Sequence, residues 1–273
     1  MSNQSEISNW NGPVGERWVL LQDALDARLQ VYGRDVLESA RLREGMRVLD
    51  VGCGCGGLSL EAARAVGAPG QVVGLDVSRP MLTRARERAK ELPNVELVEH
   101  DAATFAPSAP FDVVVSRFGV MFFHDPRATF ANLRGATKPG GRLAFVCWQS
   151  LAKNPCFAVP LSAVLRVVPP PPAALPGAPG PFAFAEPERT RDILMSAGWS
   201  AVVLTPAVHP MKLGDTLEEA VSFASRMGPA AGALRDVDDE TKARAIEMLR
   251  QTLAPLAPHF ALDGEVWLVT AHG

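Results

Sequence analysis

The chain has 273 residues, 47% of them hydrophobic, which suffices for one large α/β core with a modest addition. Its 27 Lys and Arg against 30 Asp and Glu leave a formal net charge of -3, and without a long basic run nothing favours nucleic-acid binding. No apolar run reaches the roughly 18 residues of a membrane helix, the opening Met1 to Ile7 has no secretory pattern, and Cys53, Cys55, Cys147 and Cys156 form neither a disulfide framework nor a metal spacing. A cytoplasmic protein with no membrane partner and no metal is expected.

The segment Asn9-Trp-Asn-Gly-Pro-Val-Gly-Glu-Arg-Trp18 sets two tryptophans among asparagines and glycines, ahead of an amphipathic run from Val19 to Leu37. Such rings suit either a lid or an anchor for the first helix. Arg47 to Gly52 then reads as a buried strand leading into Cys53-Gly-Cys-Gly-Gly57 and a helix from Leu58 to Val66. Gly52, Gly54 and Gly56 let the chain turn tightly and let a ligand approach the main chain at the positive end of that helix.

Strands Val72 to Asp76, Val95 to His100, Phe111 to Ser116 and Arg142 to Trp148 alternate with helices Arg79 to Glu91 and Asp125 to Ala136. This alternation predicts a parallel sheet with helices on both faces. Ser78 is expected to cap its helix with Pro80 in the first turn, and Pro139-Gly-Gly141 to stop a helix and turn the chain into the fifth strand. Within Ser150 to Phe184, the stretch Val168 to Pro181 is too rich in proline for a helix or an inner strand and reads as a cover loop or a linker. Between strands Ala201 to Leu204 and Val266 to Thr270, Leu217, Ala220, Val221 and Ala224 recur at helical spacing, so residues 216–256 form a helical insertion.

A glycine turn between strand and helix also describes dinucleotide-binding folds. The ordered set is more specific: Asp50 in the first strand, the glycine turn, Asp76 at the tip of the second strand, Asp101-Ala102 after the third, and Thr137-Lys-Pro-Gly-Gly-Arg-Leu143. Over about residues 45 to 150 it resembles class I S-adenosylmethionine-dependent methyltransferases of the small-molecule type. The resemblance implies a Rossmann-like, seven-stranded, mostly parallel sheet whose last two strands form an antiparallel edge hairpin. It implies an N-terminal lid (1–44), a cofactor-binding core (45–150), and a third part (151–273) holding the cover loop, the last strands and a helical cap (216–256).

In that family the glycine turn faces the methionine and ribose of the cofactor, a role carried onto Gly52 and Gly54; Asp76 would bind the ribose and Asp101 lie by the adenine. The same resemblance extends the cofactor-binding set to Asp50, Cys53, Val77, Ala102, Ser116 and Arg117. From the lid come Trp10, Trp18 and Arg17, the last facing the cofactor carboxylate. Cys55 departs from the small hydroxyl residue common there.

The loop after strand four, Ser116 to Pro126, lies where parallel strands open onto the ligand crevice. His124 is the candidate general base, because imidazole titrates near neutral pH; it also reads as a solvent-facing helix-start residue. His100 reads as a cofactor-side or structural residue, and His209 and His259 fall in or near the cap. The expected activity is methyl transfer to a small apolar or aromatic acceptor, at oxygen in preference to nitrogen or carbon, by a monomer or homodimer. An NAD-dependent oxidoreductase and a non-catalytic cofactor-binding module stay open. The spacing Gly52-x-Gly54-x-Gly56-Gly57 departs from GxGxxG, and Tyr32, the one tyrosine, has no Tyr-x-x-x-Lys pairing.

Overall fold

The structure, a computed structural model, describes residues 4–172 and 177–273; residues 1–3 of the expected lid and 173–176 of the proline-rich stretch lie outside the described residues. Three helices lead in: α1 (Gln4–Trp10), α2 (Pro13–Leu20) and α3 (Gln22–Ala40). The run expected as one helix from Val19 thus breaks at Leu21, and α3 buries Leu25, Leu29, Tyr32 and Val36 at helical spacing. The core follows as β1 (Arg47–Val51), α4 (Gly57–Val66), β2 (Gln71–Asp76), α5 (Arg79–Arg88), β3 (Val95–Glu99), β4 (Phe111–Arg117), α6 (Pro126–Gly135) and β5 (Thr137–Trp148). After it come α7 (Pro155–Val164), α8 (Pro187–Ser196), β6 (Ser200–Lys212), α9 (Leu217–Arg226), α10 (Gly228–Ala233), α11 (Asp239–Leu253) and β7 (Ala261–His272).

The seven strands form one sheet in the order β3-β2-β1-β4-β5-β7-β6, with β1 to β5 paired in parallel. Gly273 N-H donates to Gly141 O at 2.9 Å and Gln149 N-H to Glu265 O at 3.0 Å, an opposite running order that makes β7 antiparallel to β5. Strand order reverses between β1 and β4. In an open α/β sheet that switch point is where the carboxyl ends of the strands leave a crevice.

Two local expectations fail for identifiable reasons. Strand β5 starts at Thr137, not Arg142, and Pro139 to Gly141 sit inside it: Phe111 pairs with Thr137 and Val113 already with Arg142, so these residues bulge from the ladder. Ser78 makes no cap bond to α5; its hydroxyl donates instead to Trp10 O at 2.7 Å. The cap is supplied from another segment, since Arg79 N-H donates to Asn11 Oδ1 at 3.0 Å while Asn11 Nδ2 donates to Val77 O at 2.8 Å. Helix α7 also forms within the segment expected as cover, with Pro155 in its first turn, where a missing N-H is harmless, and Pro160 inside it.

By its internal contacts the chain divides into two compact units. The first comprises Met1–Cys147, Gly177–Pro206 and Trp267–Gly273; the second Trp148–Pro176 and Ala207–Val266. In the second, α9 and α11 start on Thr216 and Asp238, whose side chains accept from Glu219 N-H and Thr241 N-H. Buried Asn154 holds the strand ends there: Nδ2 donates to Gln149 O at 3.1 Å, and Oδ1 accepts from Glu265 N-H at 2.8 Å. Among the described residues no helix is long and apolar enough to cross a membrane.

Because Asn11 satisfies both a carbonyl and a helix-start amide of the β2–α5 turn, Asn11→Ala is expected to cost about 1 kcal/mol, the worth of a helix cap. At this size that is a fall of ~2–4 °C in Tm. Calorimetry checks it; an unchanged Tm would mean that the N-terminal segment does not dock on this turn in solution.

Candidate functional site at the carboxyl ends of the strands

Strand β1 ends in a turn that only glycine fits. Gly52, Gly54 and Gly56 have φ of 68°, 55° and 83°, in the left-handed region. A Cβ on Gly52 would stand 2.6 Å from Gly119 Cα, so the exits of β1 and β4 cross backbone on backbone. A Cβ on Gly54 would meet nothing nearer than Met81 Sδ at 3.8 Å, so open space borders the turn. Helix α4 starts from Gly56 with no side-chain cap, leaving the first amides of a ten-residue helix turned toward this place.

Asp76 closes the turn from β2. Its Oδ2 accepts from Gly54 N-H at 2.7 Å and its Oδ1 from Ser78 N-H at 2.8 Å. Burial pushes the Asp76 carboxyl above the usual range, and the backbone donors Ser78, Gly54 and Val77 oppose the rise. Asp50 is fully buried in β1. Ser59 of α4 donates to its Oδ2 at 2.6 Å, whereas Oδ1 has no partner among the described residues. Burial pushes this carboxyl up to about 6, helped by the nearby Asp76 charge and opposed by Ser59 and by Arg117. A buried acceptor left unpaired is costly in a native fold and calls for an explanation.

The third acid lies beside them in the sheet order. His100 N-H donates to Asp76 O at 3.0 Å, and the next residue, Asp101, turns its Oδ1 onto Ala103 N-H at 2.9 Å. Asn132 of α6 pins this turn by donating to Ala102 O and Phe105 O, each at 2.9 Å. The N-terminal segment reaches the same rim: Trp10 stands edge-on to Phe122, in the single 3-10 turn Val120–Phe122 after β4, with centroids 5.0 Å apart, and edge-on to Trp18 at 5.9 Å. Arg17 is half-buried on α2.

Ser116 and Arg117 are placed at the end of β4 as expected, but their polar groups are engaged within the protein. Ser116 Oγ donates to Val51 O at 2.7 Å, and Arg117 Nη2 pairs with Asp26 of α3 at 2.9 Å. His124 is exposed, and the adjacent Asp125 caps α6 by accepting from Ala128 N-H at 3.0 Å. Burial raises the Glu6 carboxyl of α1, opposed by a hydrogen bond from Trp10 and by the nearby His124. His209 lies on β6, and His259 just before β7. Burial pushes the Cys55 thiol up to about 11 and that of Cys53 well above its usual value, so both are protonated near neutral pH. No group of three His, Cys, Asp or Glu suited to a metal ion occurs among the described residues.

Asn11 and Asp26 bond to the elements around the turn and were not singled out by the sequence. The weak signal for Asp26 is its place, with Gln22 four residues before it, on the flank of the buried stripe of α3.

Residues 48–141 match the family described as a methyltransferase domain. Aklanonic acid methyltransferase DauC of Streptomyces sp. (strain C5) is 37% identical over 116 residues, 41% of this chain and 53% of that protein. Demethylmenaquinone methyltransferase of Staphylococcus aureus (strain MRSA252) is 33% identical over 122 residues, 44% of this chain and 50% of its own. The chain thus spans about half the length of the curated relatives it matches. Phosphoethanolamine N-methyltransferase 2 of Haemonchus contortus, solved in complex with S-adenosyl-L-methionine, has the same fold: TM-score 0.51 at 21% identity, over 88% of this chain and 51% of that one.

The Asp50 carboxyl has a raised pKa in the folded chain, so its ionisation opposes folding: its contribution is best below the unfolded value of 3.8 and is lost as pH rises through about 6. Asp50→Asn removes this titration. The stability of the variant relative to the parent should therefore rise between pH 4 and pH 7 by up to about 3 kcal/mol, the worth of roughly two pKa units. Paired urea melts across this range check it; a difference that stays flat or falls with pH would show that Asp50 is not strained by its charge.

Proposed function

We propose that the protein is an S-adenosyl-L-methionine-dependent methyltransferase acting on a small apolar or aromatic acceptor. The observation that carries this reading is the open glycine turn at the β1/β4 switch point, bonded to Asp76, preceded by the buried Asp50 in β1, with Asp101 following the adjacent β3. The unpaired Asp50 carboxylate suits a ligand that brings positive charge, and a nicotinamide dinucleotide, with its pyrophosphate, would bring negative charge to three acids. When bound, the cofactor supplies a methyl group on a sulfonium, ready for in-line transfer to a nucleophile.

The chain's own part is binding, orientation and proton management. The backbone of Gly52, Cys53 and Gly54 would border the methionine and ribose, Asp76 with Val77 the ribose hydroxyls, and Asp101 with Ala102 the adenine. Asp50 would face the cationic end. Ser116 and Arg117 shape the β4 side of the seat through the bonds that fix them. Trp10, Arg17 and Trp18 form the cover, a role supported by the hold of Asn11 and Trp10 on the β2–α5 turn.

Apolar acceptors are supported by the Trp10–Phe122 aromatic pair at the rim and by relatives named for aklanonic acid and demethylmenaquinone. For a hydroxyl acceptor a base is needed, and His124, in the loop between β4 and α6, is the candidate.

Calorimetry should find S-adenosylhomocysteine binding and no NAD binding, with Asp76→Ala weakening the former by about 1.5–3 kcal/mol, the worth of hydrogen bonds to a charged group. Tight NAD binding without S-adenosylhomocysteine binding would overturn the assignment. With an acceptor in hand, His124→Gln should lower turnover by about 10²-fold or more at unchanged cofactor affinity and flatten the acid limb of the pH profile. Full turnover with the same acid limb would remove His124 from the chemistry.

A further inference from the structure

One carboxylate on α3 holds three parts of the candidate site at once. Asp26 Oδ1 accepts from Arg117 Nη2 at 2.9 Å, at the exit of β4. Its Oδ2 accepts from Arg88 Nη2 of α5 at 2.7 Å and from Gln22 Nε2 at 2.8 Å. Arg88 in turn donates through Nη1 to Cys55 O at 2.5 Å, inside the glycine turn. A Cβ on Gly57 would stand 2.6 Å from Asp26 Oδ1 and 3.0 Å from Arg117 Nη2, so the bare first residue of α4 is the floor on which the cluster rests. Asp26 thereby brings a negative charge to the uncapped N-terminus of α4, where it is favourable. Its carboxyl is partly desolvated, yet Arg117 and Arg88 hold it below the usual carboxylate range, so it is ionised near neutral pH.

Asp26 lies outside the matched segment 48–141. The two arginines are not interchangeable in effect. Arg88 fixes a carbonyl of the turn, and Arg117 fixes the strand end whose next residues cross it at Gly119.

We propose that Asp26 is a positioning residue of the cofactor seat: from the N-terminal helix it sets, through Arg88 and Arg117, the backbone of the glycine turn. It touches no reacting atom. Order in α3 and the shape of the seat become one equilibrium, so the turn is preorganised only when the N-terminal helices are docked. As far as cofactor is concerned, the inference rests on the methyltransferase reading above; the part about the turn does not.

The test is amide hydrogen exchange on the ligand-free full chain, comparing the parent with Asp26→Asn and, in case that variant does not fold, with Arg88→Gln. Exchange in residues 53–60 should quicken at least tenfold while Leu143 to Cys147 in β5 stay as in the parent. In the same variants the Kd for S-adenosylhomocysteine should rise at least tenfold, and the KM for an acceptor should not move. Uniform quickening would reduce Asp26 to a general stabiliser and overturn the proposal, as would unchanged exchange in the turn. Quickened exchange with an unchanged Kd would overturn the cofactor half. A parent that binds no S-adenosylhomocysteine would sink the methyltransferase reading alone, with the exchange comparison still deciding the role of Asp26.

Discussion

The molecule depends most on the place where two strands leave the sheet with no side chain between them. A Cβ on Gly52 would lie 2.6 Å from Gly119 Cα, and one on Gly119 would lie 2.8 Å from Gly52 Cα and 2.6 Å from Val51 O. Any side chain at either position would push β1 and β4 apart at the switch point. The buried Ser116 hydroxyl locks this crossing by donating to Val51 O and accepting from Gly119 N-H at 3.2 Å. Phe118 takes φ of 66° between them, a conformation that non-glycine residues rarely adopt and that the surrounding bonds must hold.

From this crossing follows the electrostatics of the crevice. Asp50, one residue before Val51, is carried into the interior by β1, and Asp76 is brought alongside through the parallel pairing of β1 with β2. Burial raises both carboxyls, the Asp76 charge adds to the rise at Asp50, and one Asp50 oxygen stays unpaired among the described residues. A chain selected for stability alone would place a neutral side chain there.

The centre of the sheet was legible because β1, β2, β4 and the second half of β5 are buried almost throughout and read as short apolar runs between turn residues. Local rules failed where a distant segment intervened. Ser78 satisfies every sequence criterion for a cap, but its hydroxyl is drawn to Trp10 O, and Asn11 takes the amide instead. Pro139-Gly-Gly141 carries helix-stop residues, yet the chain is already in β5 and bulges there, with Gly140 at φ of 72° and bonded to Gly273. The three acids and the glycines were legible because they sit at strand tips, whose order the topology dictates. Asp26 was not: its partners Arg88 and Arg117 are far away in sequence, and a carboxylate beside an apolar stripe looks like an ordinary solvated residue.

The central claim is that a nucleoside cofactor with a cationic end lies along the β1, β2 and β3 exits of the first unit. The most direct measurement is a backbone amide NMR map of the full chain titrated with S-adenosylhomocysteine. Shifts concentrated in residues 50–57, 76–79 and 100–103 are predicted, with α11 of the second unit unmoved. An unchanged spectrum at saturating ligand, or shifts confined to other segments, would contradict the account.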